Sequence, residues 1–176
     1  MAMQTRISEM KILIAGVGHP NLKDLSFGQI LLPYLQEQVW AKSDNVHFEN
    51  LSFGAIAVLQ WFQDRLDDYE KVVFVSAAER DGREPGTVNV YNWTFPELDE
   101  IAVQEAVAES VTGIISLDNL LMILQYFRVL PGSVEIIEIE PIDSGIGFEC
   151  SPAITARFAE FAEIIRGSTI TFIEEK

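Results

Sequence analysis

The side chains that could do chemistry fall in three short stretches of a 176-residue sequence: Gly16-Val17-Gly18-His19 with Asp24 and Leu25, then Ser76 with Glu79 and Asp81, then the run around Gly113. His19 and Asp24 together offer an imidazole and a carboxylate, donors suited to a divalent transition metal. Ser76 with His19 as its base would make a hydroxyl nucleophile. The setting argues against that pairing, because Phe74-Val75-Ser76-Ala77-Ala78 has no G-x-S-x-G elbow. Gly16 and Gly18 close an apolar run, an arrangement that lets a backbone approach a pyrophosphate. Asn21 stands where that motif needs its third glycine, and the helix cap at Ser26 comes too late for it. A small-molecule or nucleotide-binding module using the Gly16–Gly18 turn is therefore one alternative. Another is an unrelated enzyme with Asp24, Glu79, Asp81 and Asp143 gathered in one pocket.

The elements that must position these residues alternate between strand and helix patterns. Ile12 to Ala15 and Val72 to Val75 are unbroken apolar runs, which read as central parallel strands covered on both faces. Between them, Ser26 and Gln29 have capping-box spacing ahead of a helix striped by Phe27, Ile30, Leu31, Tyr34 and Leu35 and interrupted by Pro33. Val46, Phe48 and Leu51 suggest a strand nearer an edge. Ala55, Leu59, Phe62 and Leu66 stripe a second helix. Glu84-Pro85-Gly86-Thr87 is a turn, and Val88 to Tyr91 a short strand returning as in a hairpin.

Further along, helices are expected over 101–111 and 117–129, the latter facing inward through Leu120, Leu121, Leu124 and Phe127. Val134 to Glu140 alternates as a strand. Ser151-Pro152 opens a last helix striped by Ile154, Phe158, Phe161 and Ile165 and closed by Gly167, and Thr169 to Ile173 could be an edge strand. This alternation predicts a three-layer α/β/α sandwich: a mainly parallel sheet of about five strands with helices on both faces. Ligands bind such sheets outside the carboxyl ends of the strands, at Gly16–Gly28, Ser76–Gly86 and Pro141–Ser151 here. Residues 11–176 are expected to form one such domain, with residues 1–10 a flexible extension.

Charge narrows the partners. Twelve basic against 27 acidic residues leave a net charge of -15, concentrated in residues 97–176, which hold 4 basic and 15 acidic residues. Such a surface repels phosphate backbones and anionic lipids, so neither a nucleic acid nor a membrane is expected as partner, whereas a basic protein is. Glu97, Glu105, Glu109, Glu135, Glu138, Glu160 and Glu163 read as solvated polar faces. The lone Cys150 rules out an internal disulfide and reads as inert, and together with the lack of a signal-like or spanning apolar run it leads us to expect a cytoplasmic protein. His47 reads as structural, and Trp40, Trp61 and Trp93 as partly buried.

Gly16 to Gly28 resembles the first signature of the hydrogenase maturation endopeptidases, in which glycine, glycine, asparagine, two adjacent acids and a closing glycine recur at fixed spacing. Gly16, Gly18, Asp24 and Gly28 keep that spacing, and His19 replaces the asparagine. The strand at 72–76 followed by Pro85-Gly86-Thr87, and the order of elements over 117–166, resemble the same family. The resemblance implies C-terminal processing of a nickel-iron hydrogenase large subunit once nickel is loaded. It also implies three metal contacts: the second acid of the signature, an aspartate ending the third strand, and a histidine before the apolar helix. Those positions read Leu25, Ser76 and Gly113. No cofactor is therefore expected, and nickel is doubtful. The sequence points to a diverged member that binds a protein partner, such as a hydrogenase large subunit or its tail, without metal-dependent cleavage. An active protease with a metal site relocated to His19 and Asp24 is the alternative.

Overall fold

The computed structural model describes residues 11–113 and 116–174, so the expected N-terminal extension at 1–10 lies outside the described residues. Five strands, β1 (Ile12–Gly16), β2 (Val46–Asn50), β3 (Lys71–Ala77), β4 (Val88–Asn92) and β5 (Ser133–Ile139), form one sheet in the order β2-β1-β3-β5-β4. All pairings are parallel except β4 with β5. The helices are α1 (Phe27–Gln36), α2 (Ala55–Gln63), α3 (Glu100–Ser110), α4 (Leu117–Tyr126), α5 (Pro152–Thr155) and α6 (Phe158–Glu174).

Side-chain alternation along the central strands divides the core in two. Leu13, Val72, Phe74, Val134 and Ile136 face α2, α3 and α4, while Ile12, Ile14, Val73, Val75, Ile137 and Ile139 face α1, α5 and α6. Both faces of β1 and β3 are covered, which is why these strands carry unbroken apolar runs. The expected α/β sandwich is the observed architecture. Among the described residues, no helix is long and apolar enough to cross a membrane.

Several boundaries differ from the sequence reading. β4 does not form a hairpin with β3, because β5 inserts between them and β4 runs antiparallel to β5 at the edge. The expected edge strand at 169–173 is the last part of α6, which continues through Gly167. There the Thr169 hydroxyl donates 2.8 Å to Ile165 O, and Phe172 and Ile173 pack on the core. A β-branched run thus stays helical because its apolar face has a surface to cover. α2 stops before Leu66, and α4 stops before Phe127, where Arg128 turns the chain at φ +56 and leaves Phe127 45% exposed. Ser26 makes no side-chain cap to α1. Its hydroxyl donates 2.6 Å to His19 O and accepts from Leu22 N at 3.2 Å, which staples the loop ahead of the helix instead.

Two acids expected in solvent are inside. Glu138 is fully buried, and Glu135 reaches Lys71 at 2.9 Å with its side chain only 14% exposed. The reason is positional. Glu138 shares its strand parity with Val134 and Ile136, so it points under the α3–α4 layer, and a sheet covered on both sides has no solvated face.

Candidate functional site

The β1–α1 loop lies across the carboxyl ends of the strands, and its glycines let it lie close. A Cβ on Gly16 would sit 2.4 Å from Gly28 O, one on Gly28 2.2 Å from Val75 O, and one on Gly18 2.7 Å from Leu25 O. These distances are too short for any side chain, so the signature glycines serve the approach of α1 and its loop to the sheet. Their close contacts are therefore with the chain's own backbone, Gly16 against Gly28 and Gly18 against Leu25.

Where this loop meets the β2–α2 connection and the start of α4, a pocket of about 80 Å³ opens. Gly18 and His19, Leu51 to Phe53, Gly113 and Leu120 line it. His19 is half-buried, and burial lowers its pKa below the ordinary 6.5, since a partly desolvated imidazole resists protonation. Gly113 adopts φ +80 and has open space where a side chain would project.

The other sequence candidates lie elsewhere. Gly16 is consumed by packing. Leu25 packs against the α1–α6 core, although its carbonyl accepts the His19 N–H at 2.9 Å. Asp24 is fully buried under the 142–151 loop. One carboxylate oxygen accepts the Ser151 N–H at 2.6 Å, and the other accepts the N–H groups of Ile142 and Asp143 at 3.0 and 2.9 Å and the Ser151 hydroxyl at 2.9 Å. With its oxygens so engaged, Asp24 is not free to join His19 in a relocated metal centre. Glu79 and Asp81 are exposed on the turn after β3. The four carboxylates Asp24, Glu79, Asp81 and Asp143 therefore do not gather in one pocket: Asp143 is tied to Lys23 at the surface.

Ser76 is 2% exposed, points to the same face as Phe74, and stands opposite Glu138 in the β3–β5 register. Its hydroxyl has no hydrogen-bond partner, so His19 does not engage it as a base. Beside it lies a charge cluster that sequence reasoning missed. Arg80 donates to both oxygens of Glu138 at 3.1 and 2.8 Å and to both of Asp118 at 2.5 and 3.1 Å, while Arg83 donates to Glu138 at 2.5 Å. The Arg80 main-chain N–H donates to Glu140. Hydrogen bonds to Asp118 and then Glu138 raise the Arg80 pKa. Tyr91, half-buried nearby, is pushed up to about 12 by desolvation and then by Glu138 and Asp118. The signal was the parity of Glu138 in β5, read together with two arginines leaving the neighbouring strand.

The remaining singled-out residues are structural. His47 Nδ1 lies 3.1 Å from the Tyr69 hydroxyl, Trp61 stacks on Tyr69, and Trp93 Nε1 donates 2.7 Å to Gln125. Cys150 is buried, and its thiol is pushed up to about 12 by desolvation and then by Asp24.

No family profile and no curated protein matches the chain. Solved structures do match. The chain superposes on the crystal structure of a hydrogenase 2 maturation peptidase from a Thaumarchaeota archaeon with a TM-score of 0.62 and 26% identity, over 90% of this chain and 97% of that one. The chain resembles the hydrogenase maturation endopeptidases. It shares their fold with the E. coli hydrogenase maturating endopeptidase HybD, at TM-score 0.64 and 18% identity over 90% of this chain and 91% of that one. The same holds for the [NiFe] hydrogenase maturation protease HycI of Thermococcus kodakarensis, at 0.61 and 22% over 89% and 90%.

Nickel, which that resemblance implies, does not fit the residues present. Leucine and glycine supply no side-chain donor, and the Ser76 hydroxyl is a poor ligand shut in beside Glu138. Among the described residues no three His, Cys, Asp or Glu side chains are grouped to hold a metal. His19 is the lone imidazole at the pocket.

Proposed function

We propose that this chain binds the C-terminal tail of a hydrogenase large subunit, or of a protein like it, in the pocket at Gly18, His19 and Gly113, without metal-dependent cleavage. The observation that carries this reading is the combination of a retained maturation-endopeptidase fold with Leu25, Ser76 and Gly113 where the resemblance implies metal contacts. A pocket of about 80 Å³ suits one small side chain of an extended segment, and the acidic surface suits a basic partner. In this reading the chain acts in the cytoplasm as one domain over 11–176, and its role is to hold an immature subunit.

Titration calorimetry with a nickel-loaded large-subunit precursor, with and without its C-terminal tail, tests the reading. Tighter binding of the tailed form is expected, together with a loss of at least tenfold when Ser52→Trp fills the pocket. Equal affinity for both forms would contradict it.

A further inference from the structure

The 142–148 loop combines two properties that rarely occur together. It is rigidly held, and it exposes large apolar side chains: Ile146 is 86% and Phe148 80% exposed, with Ile142 at 46%. Asp24 fixes both ends of the loop through its hydrogen bonds to Ile142, Asp143 and Ser151. Its middle is fixed by main-chain bonds from Lys23 N to Gly147 O at 3.2 Å and from Gly147 N to Asn21 O at 2.9 Å. The Asp143 side chain accepts the Gly145 N–H at 3.0 Å and pairs with Lys23.

Exposed apolar side chains on a preorganised segment lose little entropy on binding and mark protein contacts. Charge selects the partner. The cations beside the loop are already neutralised, Lys23 by Asp143 and Arg157 by Glu160, whereas Glu149 stands exposed next to Phe148. A second copy of the chain would bring another net charge of -15 to the same contact.

We propose that the 142–148 loop is a docking surface for a folded heterologous protein whose face offers an apolar recess rimmed by lysine or arginine. This inference extends the tail-binding reading to the body of the same partner. The loop touches the 19–23 segment through the Leu22–Gly147 bridge, so a tail in the pocket and a folded body on the loop can belong to one molecule.

The test uses the full chain and the large-subunit precursor, tailed and tail-less. Replacing Ile146→Ser together with Phe148→Ser is expected to weaken binding of both forms at least tenfold, and Glu149→Lys to weaken both at low salt. Ser52→Trp is expected to weaken the tailed form only. Wild-type affinity in the double variant, with thermal unfolding unchanged, overturns the docking surface while leaving the tail reading intact.

If the wild-type chain binds neither form, the tail reading fails and photo-crosslinking from position 148 in the native cell decides the surface. A defined adduct that Glu149→Lys abolishes supports it, and a yield no higher than from exposed Val39 overturns it. A dimer in sedimentation that Phe148→Ser dissolves would also overturn the heterologous partner.

Discussion

Asp24 and Glu138 are both fully buried carboxylates, one near the end of the β1–α1 loop and the other near the end of β5, yet they are satisfied by different partners. Asp24 accepts from three main-chain N–H groups and one hydroxyl, and it fixes the position of a loop. Glu138 accepts from two guanidiniums, each a quarter to a third exposed, and it ties the turn after β3 to the sheet. Main-chain donors have no alternative partner once the carboxylate is gone, whereas partly exposed arginines can turn to water. The signature acid thus shapes the loop without lining the pocket, and Glu138, opposite Ser76 in the sheet, reads from the sequence as solvated surface.

The sharpest way to break this contrast is to remove each group and measure unfolding in urea. Asp24→Ala strands three N–H donors and is expected to cost about 4 kcal/mol. Arg80→Met leaves Glu138 buried with Arg83 alone and is expected to cost about 3 kcal/mol. Glu138→Gln frees arginines that water can reach and is expected to cost about 2 kcal/mol, the exposed side of the cluster being screened. Equal losses for Asp24→Ala and Glu138→Gln would erase the distinction between main-chain and guanidinium partners. Phe148→Ser, on the exposed tip of the loop, is expected to stay within about 0.5 kcal/mol of wild type.

Cys150 reports on the Asp24 side of the comparison without perturbing it. Its thiol, pushed up to about 12 and buried, is expected to resist iodoacetamide at about pH 8 until the chain unfolds. In Asp24→Ala the loop loosens, so labelling should begin under native conditions. In Glu138→Gln it should not, and labelling there would show that the two clusters act as one.

The smallest effect is a pH dependence from the pocket. Burial lowers the His19 pKa below 6.5, so at acid pH the unfolded chain takes up its proton before the folded one. Its contribution to stability is complete above 6.5 and is lost as pH falls through the lowered folded value. An NMR titration of His19 is expected to give a midpoint below 6.5, and His19→Gln should remove that part of the acid-side slope. A midpoint above 6.5 would mean that a carboxylate faces the ring.

The sheet was legible because buried parallel strands carry unbroken apolar runs, and β1 and β3 fall where those runs are. What the sequence hid depends on neighbours that are distant in the chain. Whether Val88 to Asn92 pairs with β3 or with β5 is decided by insertion of a strand some forty residues later. Whether residues 169–173 extend or coil is decided by the core surface offered to Phe172 and Ile173. The pocket was legible in part: Gly18, His19 and Gly113 meet there, whereas Asp24 and Leu25, its neighbours in the signature, turn away toward the 142–151 loop and the α1–α6 core. Spacing gives proximity along the chain, and only the loop's path decides which side chains point inward.

The most direct test of a binding role without metal-dependent cleavage is intact-mass spectrometry of a nickel-loaded large-subunit precursor after incubation with this protein. The account predicts a subunit of unchanged mass, recovered as a complex with its tail attached. A subunit shortened at its C-terminus, with cleavage lost on chelating the nickel, would contradict it.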